Sequence, residues 1–225
     1  MLVARRLGAV RGGATLFSGV DIRVGRGDAL LLSGPIGSGK TTCMRVLAGF
    51  EQPDHGDVLL HGVPVASWRR WRREEAAPFV DQDPRLDLDV RAVDNLIDNV
   101  LLSQRWQWWA WSKARARRAA KDQAADLLAA AGLVDAIDRG AWELSYGQRR
   151  VLTVVRALRP LSNGIARVML LDEPFAGLHD ARVDALIALI NRRLAEGWGL
   201  VVAEHLAAVR RLEITCELEF PAIRA

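Results

Sequence analysis

The chain has 225 residues, of which 50% are hydrophobic and 26% are charged, and its net charge is +4. This ordinary globular composition excludes a disordered chain, a fibrous repeat and a small disulfide-dense scaffold. The apolar runs are far shorter than the roughly 20 residues of a membrane-spanning helix, and residues 1–11 lack the apolar segment of a signal peptide. We therefore expect a cytoplasmic protein.

Strands and helices alternate along the predicted chain. Short apolar or alternating runs predict strands over residues 20–24, 28–33, 57–60, 79–82, 168–171 and 200–203. Apolar residues at helical spacing predict helices over residues 40–50, 90–102, 114–131, 147–159 and 181–195. The order indicates an α/β core with a helical insert between about residues 84 and 150.

Basic residues cluster at 69–73 and 113–121. Such clusters are typical of nucleic-acid binding, of an acidic membrane surface or of a solvated or protein-docking face. Glu74 and Glu75 directly follow the first cluster, which favours the solvated or docking face. We expect no nucleic-acid partner.

The two cysteines fit a reducing compartment and have no metal-ligand spacing. Cys43 lies on the predicted helix at 40–50. We expect it to be a small buried apolar residue and not a redox switch.

A complete phosphate-loop motif, G-x-x-x-x-G-K-[ST], lies between an apolar strand and a helix. Its glycines allow backbone N–H groups to surround phosphate oxygens, and the helix that follows presents its positive end to the same anion. The lysine can reach the outer phosphates and the threonine hydroxyl can bind Mg²⁺. The predicted nucleotide-binding residues here are Gly34, Pro35, Ile36, Gly37, Ser38, Gly39, Lys40, Thr41 and Thr42.

Two carboxylates follow the apolar run at 168–171. A buried strand would deliver Asp172 at its carboxyl end, beside the phosphates, where it would hold Mg²⁺ directly or through water. Glu173 would orient and deprotonate the attacking water. The two motifs predict an enzyme that hydrolyses a nucleoside triphosphate.

Three further motifs carry a family resemblance. The segment 144–150, Leu-Ser-Tyr-Gly-Gln-Arg-Arg, resembles the LSGGQ signature of ABC ATPases, with Tyr146 in place of the first glycine. Gln82 is similar to the Q-loop glutamine of that family, and His205 to its switch histidine. Five motifs in the family's order cover nearly the whole chain, which is identified as a member of the ABC-transporter ATP-binding subunits.

The resemblance implies ATP and Mg²⁺ as cofactors and a head-to-tail dimer of two cassettes. The nucleotide of one cassette would contact the signature residues of the other, which here are Ser145, Tyr146, Gly147 and Gln148. His205 would contact the γ-phosphate and the attacking water, and Gln82 would sense Mg²⁺ or water. Partners would be membrane subunits, on the inner face of the cell membrane, and a second identical or similar ATPase subunit.

The resemblance also implies a fold and its divisions. We expect a P-loop, RecA-like α/β core with a mostly parallel sheet, an N-terminal antiparallel β portion and an inserted helical subdomain. A single ABC ATPase domain would cover 1–225. Its core would take residues 1–83 and 151–215, and the helical subdomain would take 84–150, ending in the signature.

Several positions depart from the family pattern. Arg11 stands where an aromatic residue usually stacks on adenine, and it could stack in the same way. His179 replaces the usual aspartate in a loop that crosses the dimer interface. The motif details resemble ATPases of branched-chain amino acid importers, lipopolysaccharide exporters and heme exporters, which differ in transport direction.

Four tryptophans lie within residues 106–111. They would dock a membrane subunit, pack internally against the next helix or contact lipid headgroups. Two other function classes stay open: a soluble ABC ATPase that is not linked to transport, and a regulatory subunit that binds ATP without hydrolysing it.

Overall fold

A computed structural model of the protein describes residues 1–83, 86–97, 110–159, 167–205 and 207–220, without the side chains of Trp71 and residues 110–117. The described residues fall into two compact units. The first lies within Met1–Gln82, Leu161–Phe175 and Ile190–Ala225, and the second within Asp83–Pro160 and Ala176–Leu189.

The described elements alternate as follows. The strands are β1 (Leu2–Arg11), β2 (Ala14–Val24), β3 (Ala29–Ser33), β4 (His55–Leu60), β5 (Val63–Pro64), β6 (Phe79–Val80), β7 (Val168–Asp172), β8 (Gly199–Ala203) and β9 (Cys216–Glu219). The α-helices are α1 (Lys40–Leu47), α2 (Arg70–Ala76), α3 (Ala92–Leu96), α4 (Ala110–Ala130), α5 (Tyr146–Ala157) and α6 (Asp180–Ala195). Short 3₁₀ turns occur at Val65–Ser67, Val134–Ala136, Ala141–Glu143 and Ala207–Arg211.

The first sheet is antiparallel and has the strand order β2-β1-β4-β5. Strands β1 and β2 form a hairpin in which Leu2 pairs with Val24. Two glycines at positions 12 and 13 close it, with φ values of 58° and 83°, because the tight turn that matches strand twist needs positive φ at both central residues. This sheet is the expected N-terminal antiparallel portion.

The second sheet is parallel in every described pairing and has the order β6-β7-β8-β3-β9. Every residue of β7 and β8 is buried, which explains their continuous apolar runs. The carboxyl ends of parallel strands meet at one edge, where ligand sites of such sheets lie. The segments that follow β3, β6, β7 and β8 therefore share this edge.

The second unit is helical. Helices α3, α4 and α5 contact one another, and the side chains of Val93, Leu128 and Val151 are buried there. The Ala92 N–H donates to the Arg139 carbonyl at 2.9 Å, which fastens the start of α3 to the turns after α4.

Each predicted strand and helix overlaps an observed element, and the predicted α/β fold is confirmed. From residue 98 onward, the helix predicted over 90–102 lies outside the described residues. Strands β1, β5 and β9 and helix α2 were not predicted. In β1 the pairing register shifts between Ala4 and Leu7, and Arg6 has a φ of 46°, so the strand has no continuous alternation.

The two units divide the chain by contacts, and the predicted core and helical subdomain stay a prediction. Residues 151–160 and 176–189 fall within the second unit. Among the described helices, none has the length and apolar character needed to cross a membrane.

Candidate functional site

The loop between β3 and α1 passes close to neighbouring backbone. Gly34 has a φ of 126°, and a Cβ there would lie 2.4 Å from the Phe220 carbonyl oxygen, so only glycine fits. Gly39 has a φ of 95° and occupies the position before α1, so no side-chain hydrogen bond caps this end of the helix. The first amides of a helix lack helical acceptors, and the helix dipole adds positive charge. This end of α1 therefore suits an anion.

Lys40 folds its side chain back over this loop. Its Nζ donates to the carbonyl oxygens of Gly34 and Pro35, each at 2.8 Å. Burial lowers the pKa of Lys40, and the charges of Asp172 and Glu173 act to raise it. The acceptors in the loop are neutral carbonyl oxygens. Negatively charged phosphate oxygens would therefore form stronger hydrogen bonds with the ammonium group.

A cavity of about 170 Å³ opens beside the loop. This volume is below the roughly 300–1,000 Å³ of a typical small-molecule site, so it would enclose only part of a nucleotide. Gly34, Pro35 and Ser38 belong to the loop without lining the cavity, and Ser38 Oγ lies 3.4 Å from Lys40 Nζ. The lining residues are Leu16, Ile36, Gly37, Gly39, Lys40, Thr41, Thr42, Gln82, Asp172, Glu173 and His205.

Strand β7 carries the two carboxylates to the cavity. Asp172 ends the strand and is 1% exposed. Glu173 follows with a φ of 48°, a left-handed conformation that is rare outside glycine, and its N–H donates to the Ala203 carbonyl at 2.8 Å. Successive strand residues point to opposite faces, so the change of backbone at Glu173 allows both neighbours to line one cavity.

Gln82 and His205 reach the same cavity from the ends of β6 and β8. The Gln82 N–H donates to Asp81 Oδ1 at 2.9 Å, and Asp81 Oδ2 accepts from Arg45 Nη1 of α1 at 3.1 Å. The His205 N–H donates to Glu204 Oε1 at 2.9 Å. Both side chains that the motifs singled out are therefore tethered to the cavity through their own backbones.

The lining includes the donor chemistry for a hard cation. Thr41 offers a hydroxyl oxygen, Gln82 an amide oxygen and Asp172 a carboxylate. Oxygen donors of this kind, few in number and completed by phosphate oxygens and water, are what Mg²⁺ prefers. These three residues could hold the predicted ion.

Arg11, the residue expected to stack on adenine, does not line the cavity. Its Nη2 lies 2.5 Å from Glu51 Oε2, and its Nη1 lies 3.5 Å from Asp54 Oδ2. Glu51 also accepts from Arg45 Nε at 2.6 Å. Burial acts to raise the pKa of Glu51, but hydrogen bonds and charges from the two arginines lower it. The structure thus places the Arg11 guanidinium in an ion-pair cluster.

The signature residues lie in the second unit, at the start of α5, and not among the cavity residues. Ser145 caps the helix: its Oγ accepts from the Gln148 N–H at 3.3 Å, and Gln148 Oε1 accepts from the Ser145 N–H at 2.9 Å. Tyr146 is 56% exposed. A Cβ on Gly147 would make only ordinary contacts, the nearest at 3.5 Å from the Gly177 carbonyl. Helix α5 thus begins one residue before the predicted start at 147.

Two other segments that the sequence analysis singled out are the loop at His179 and the tryptophan cluster within 106–111, and the structure describes only the first of them fully. The His179 carbonyl accepts from the N–H groups of Arg182 and Val183 at 2.9 and 3.1 Å, so it caps the start of α6. Trp106 to Trp109 and the side chain of Trp111 lie outside the described residues. The role of the tryptophan cluster stays a prediction.

Two residues near the cavity were missed as site residues. Leu16 lines the cavity from β2, but the strand was predicted only from residue 20. Glu204 is 5% exposed and contacts two loops of the site. A carboxylate directly after the apolar run at 200–203 was the available signal.

Cys43 is expected to resist thiol reagents in the native protein, whereas Cys216 should react. Cys43 is buried on α1, and burial raises its pKa to about 12, so the reactive thiolate is scarce near neutral pH. Cys216 is exposed. Brief alkylation followed by mass spectrometry, with and without denaturant, measures both. Rapid native labelling of Cys43 would contradict the packing of α1.

Comparisons with known proteins agree with these motifs. A family model described as ABC transporter matches residues 17–176. The ribose import ATP-binding protein RbsA 1 of Burkholderia thailandensis is 31% identical over 198 residues, which cover 86% of this chain and 36% of that protein. The cytochrome c biogenesis ATP-binding export protein CcmA of Alkalilimnicola ehrlichii is 34% identical over 206 residues, which cover 91% and 80%. The chain thus spans about a third of the ribose import protein and most of the export protein.

Solved structures share the fold. The dimeric structure of MJ0796, a bacterial ABC transporter cassette, has a TM-score of 0.79 at 19% identity, covering 98% of this chain and 94% of that one. Its post-hydrolysis dimer bound to ADP and Pi has a TM-score of 0.77 at 20% identity, covering 97% and 96%. The fold is therefore that of a P-loop ATP-binding cassette. Since the family model also matches more than half of its length, the chain belongs to the ABC transporter family.

Proposed function

We propose that this chain is the ATP-binding and ATP-hydrolysing subunit of an ABC transporter and drives transport through separate membrane subunits. The cavity carries the proposal, because it gathers Lys40, Glu173 and His205 at one edge of the parallel sheet. The relatives are described as ATP-binding proteins of import and of export. The proposal therefore assigns neither cargo nor direction.

Phosphate binding would fall to the loop and to the first turn of α1. The backbone N–H groups of residues 34 and 36–42 would donate to phosphate oxygens, aided by the dipole of α1. Lys40 would exchange its bonds to Gly34 and Pro35 for bonds to the outer phosphates. This exchange needs no unfolding, since the ammonium already lies at the loop.

Thr41, Gln82 and Asp172 would hold Mg²⁺ through their side-chain oxygens. When bound, the ion would neutralise charge that develops on the phosphate oxygens. The burial of Asp172, 1% exposed at the end of β7, fixes its carboxylate at the sheet edge.

Glu173 would act as the general base. It would accept a proton from a water molecule while the water oxygen bonds to the γ-phosphorus and the bond from that phosphorus to ADP breaks. His205 would hold the γ-phosphate and the water by hydrogen bonding. Its backbone tether to Glu204 limits how far the imidazole can move from the sheet edge.

A second cassette, identical or similar, would complete the site. The N-terminus of α5, with Ser145, Tyr146, Gly147 and Gln148, would contact the ATP that the other cassette holds. The small volume of the cavity supports this, because about 170 Å³ leaves part of a nucleotide uncovered. Arg11 would have to exchange its ion pair with Glu51 in order to stack on adenine.

The protein would form one ATPase domain at the membrane surface. The catalytic core would take residues 1–83 and 151–215 and the helical subdomain 84–150, within one ATPase domain over 1–225. The protein would be cytoplasmic and peripheral to the membrane, held there by its membrane subunits.

Tagged protein purified from detergent-solubilised native membranes is expected to bring down a polytopic membrane protein and to release phosphate from ATP in the presence of Mg²⁺. Isolation with ribosomes or DNA would instead support a soluble ABC ATPase. ATP binding without phosphate release, in the purified complex, would support a regulatory subunit. Either result would contradict the proposed motor.

A further inference from the structure

Glu204 is a buried carboxylate between two loops of the site. It directly follows β8 and is 5% exposed. Its Oε2 accepts from the Phe175 N–H at 3.2 Å, and its Oε1 accepts from the His205 N–H at 2.9 Å. One side chain thus uses both oxygens to hold the backbone of two different strand ends.

These two strand ends carry the proposed base and the proposed histidine. Phe175 lies two residues after Glu173, and His205 is the next residue after Glu204. The Glu173 N–H donates to Ala203, the residue before Glu204. The loop after β7 is therefore held by two connections, one from the Glu173 backbone to the last residue of β8 and one through the Glu204 carboxylate.

The loop that carries Glu173 needs such support. A non-glycine residue at a φ of 48° persists only where its surroundings hold it. The Phe175 side chain is fully buried, and its N–H is held by Glu204. Burial of a carboxylate without hydrogen bonds destabilises the folded protein, and both oxygens of Glu204 accept a backbone hydrogen bond here.

We propose that Glu204 is a positioning residue for ATP hydrolysis: its carboxylate holds Glu173 and His205 in a fixed arrangement at the cavity. This rests on the function proposed above. Lys40 and Thr41, which would supply most side-chain contacts to the phosphates and Mg²⁺, lie on a different loop and helix, so ATP affinity would depend little on Glu204. The residue acts on the rate of the chemical step and not on nucleotide affinity.

Two variants of Glu204 separate its hydrogen bonds. Glu204→Gln keeps one acceptor oxygen but turns an NH₂ group toward a backbone donor, so one of the two bonds is lost. Glu204→Ala loses both. We expect kcat to fall about 10-fold in the first and up to about 10²-fold in the second, the scale for misplaced catalytic groups. The Kd for a fluorescent ATP analogue should stay within about twofold.

Amide hydrogen exchange gives a readout that is independent of activity. In the nucleotide-free protein, Glu204→Ala should raise the exchange rates of the Phe175 and His205 amides. Thr215→Val is the matched control, because it removes the bonds between Thr215 Oγ and the Ala29 backbone at the far end of β3. It should lower the melting temperature and leave kcat and both amides unchanged.

A double-mutant cycle tests whether Glu204 acts through the base. In a Glu173→Gln background, Glu204→Gln should have little further effect on hydrolysis, because the group it positions is already disabled. A wild-type kcat in Glu204→Gln and Glu204→Ala, with Glu173→Gln inactive, would overturn the role of Glu204 and leave the proposed function intact. A parallel loss of kcat, affinity and folding in Glu204→Gln would make the residue merely structural. A wild-type protein without phosphate release would instead overturn the function itself.

Discussion

Replacing Glu173 with glutamine is expected to slow ATP hydrolysis by about 10²-fold or more while ATP binding persists, the scale for loss of a positioned base. Glutamine has nearly the same shape and cannot accept the proton of the attacking water. It keeps the backbone bond from residue 173 to the Ala203 carbonyl, so the loop should keep its conformation. Phosphate release under saturating ATP and Mg²⁺ measures the rate, and fluorescence titration measures the affinity.

Glu219→Gln is the matched control for this variant. It makes the same chemical change at an exposed position of β9, in the same sheet. Both its kcat and its ATP affinity should equal those of the wild type. Turnover at the wild-type rate in Glu173→Gln would remove Glu173 from the role of base.

Replacing Lys40 with alanine should abolish ATP capture. Two charge-assisted hydrogen bonds contribute roughly 3 kcal/mol or more, so the Kd for ATP should rise by about 10²-fold or more. The apo protein should melt close to the wild-type temperature, because the lost bonds go to the Gly34 and Pro35 carbonyls of a surface loop. Titration with a fluorescent ATP analogue and thermal melting test the two parts separately.

Lys121→Ala controls for the loss of one positive charge. Lys121 lies on α4 and pairs at 3.6 Å with Asp138, whose side chain is largely exposed. It should bind ATP like the wild type. An unfolded Lys40→Ala protein would show that the residue is structural, and normal ATP affinity would exclude its contact with the phosphates.

The edge of the parallel sheet that carries the site could be predicted because its strands have a recognisable sequence pattern. Each of β3, β7 and β8 contains a continuous apolar run, which is typical of a parallel strand that is buried on both faces. Residues that follow such runs must meet at one edge. That is why Lys40, Asp172 and His205 could be expected around a single cavity from their positions in the sequence.

Other features of the fold depend on contacts between distant residues, which the local sequence pattern does not reveal. Strand β1 was missed because Arg5 and Arg6 interrupt its alternation, and β9 because only Leu218 of its four residues is partly buried. The pairing of Arg11 with Glu51 joins residues 40 positions apart. An arginine in the expected position for stacking gave no sign of this partner.

The role of Glu204 at the site also depends on a contact between residues that are far apart in the sequence. Its sequence position next to His205 did not indicate this role, because the Phe175 amide that it holds lies 29 residues away. Only the pairing of β7 with β8 brings the two loops together. Roles of this kind follow from sheet topology once the strand order is known.

Light scattering on the Glu173→Gln protein tests most directly the claim that two cassettes share each ATP. With saturating ATP and Mg²⁺, its mass should double, because ATP that persists joins the loop of one chain to the Ser145 helix of the other. Adding Ser145→Arg should prevent this, and Ser145→Ala controls for the lost helix cap. A single-chain mass under these conditions, together with only one copy of the chain in the complex with the co-purified membrane partner, would contradict the account.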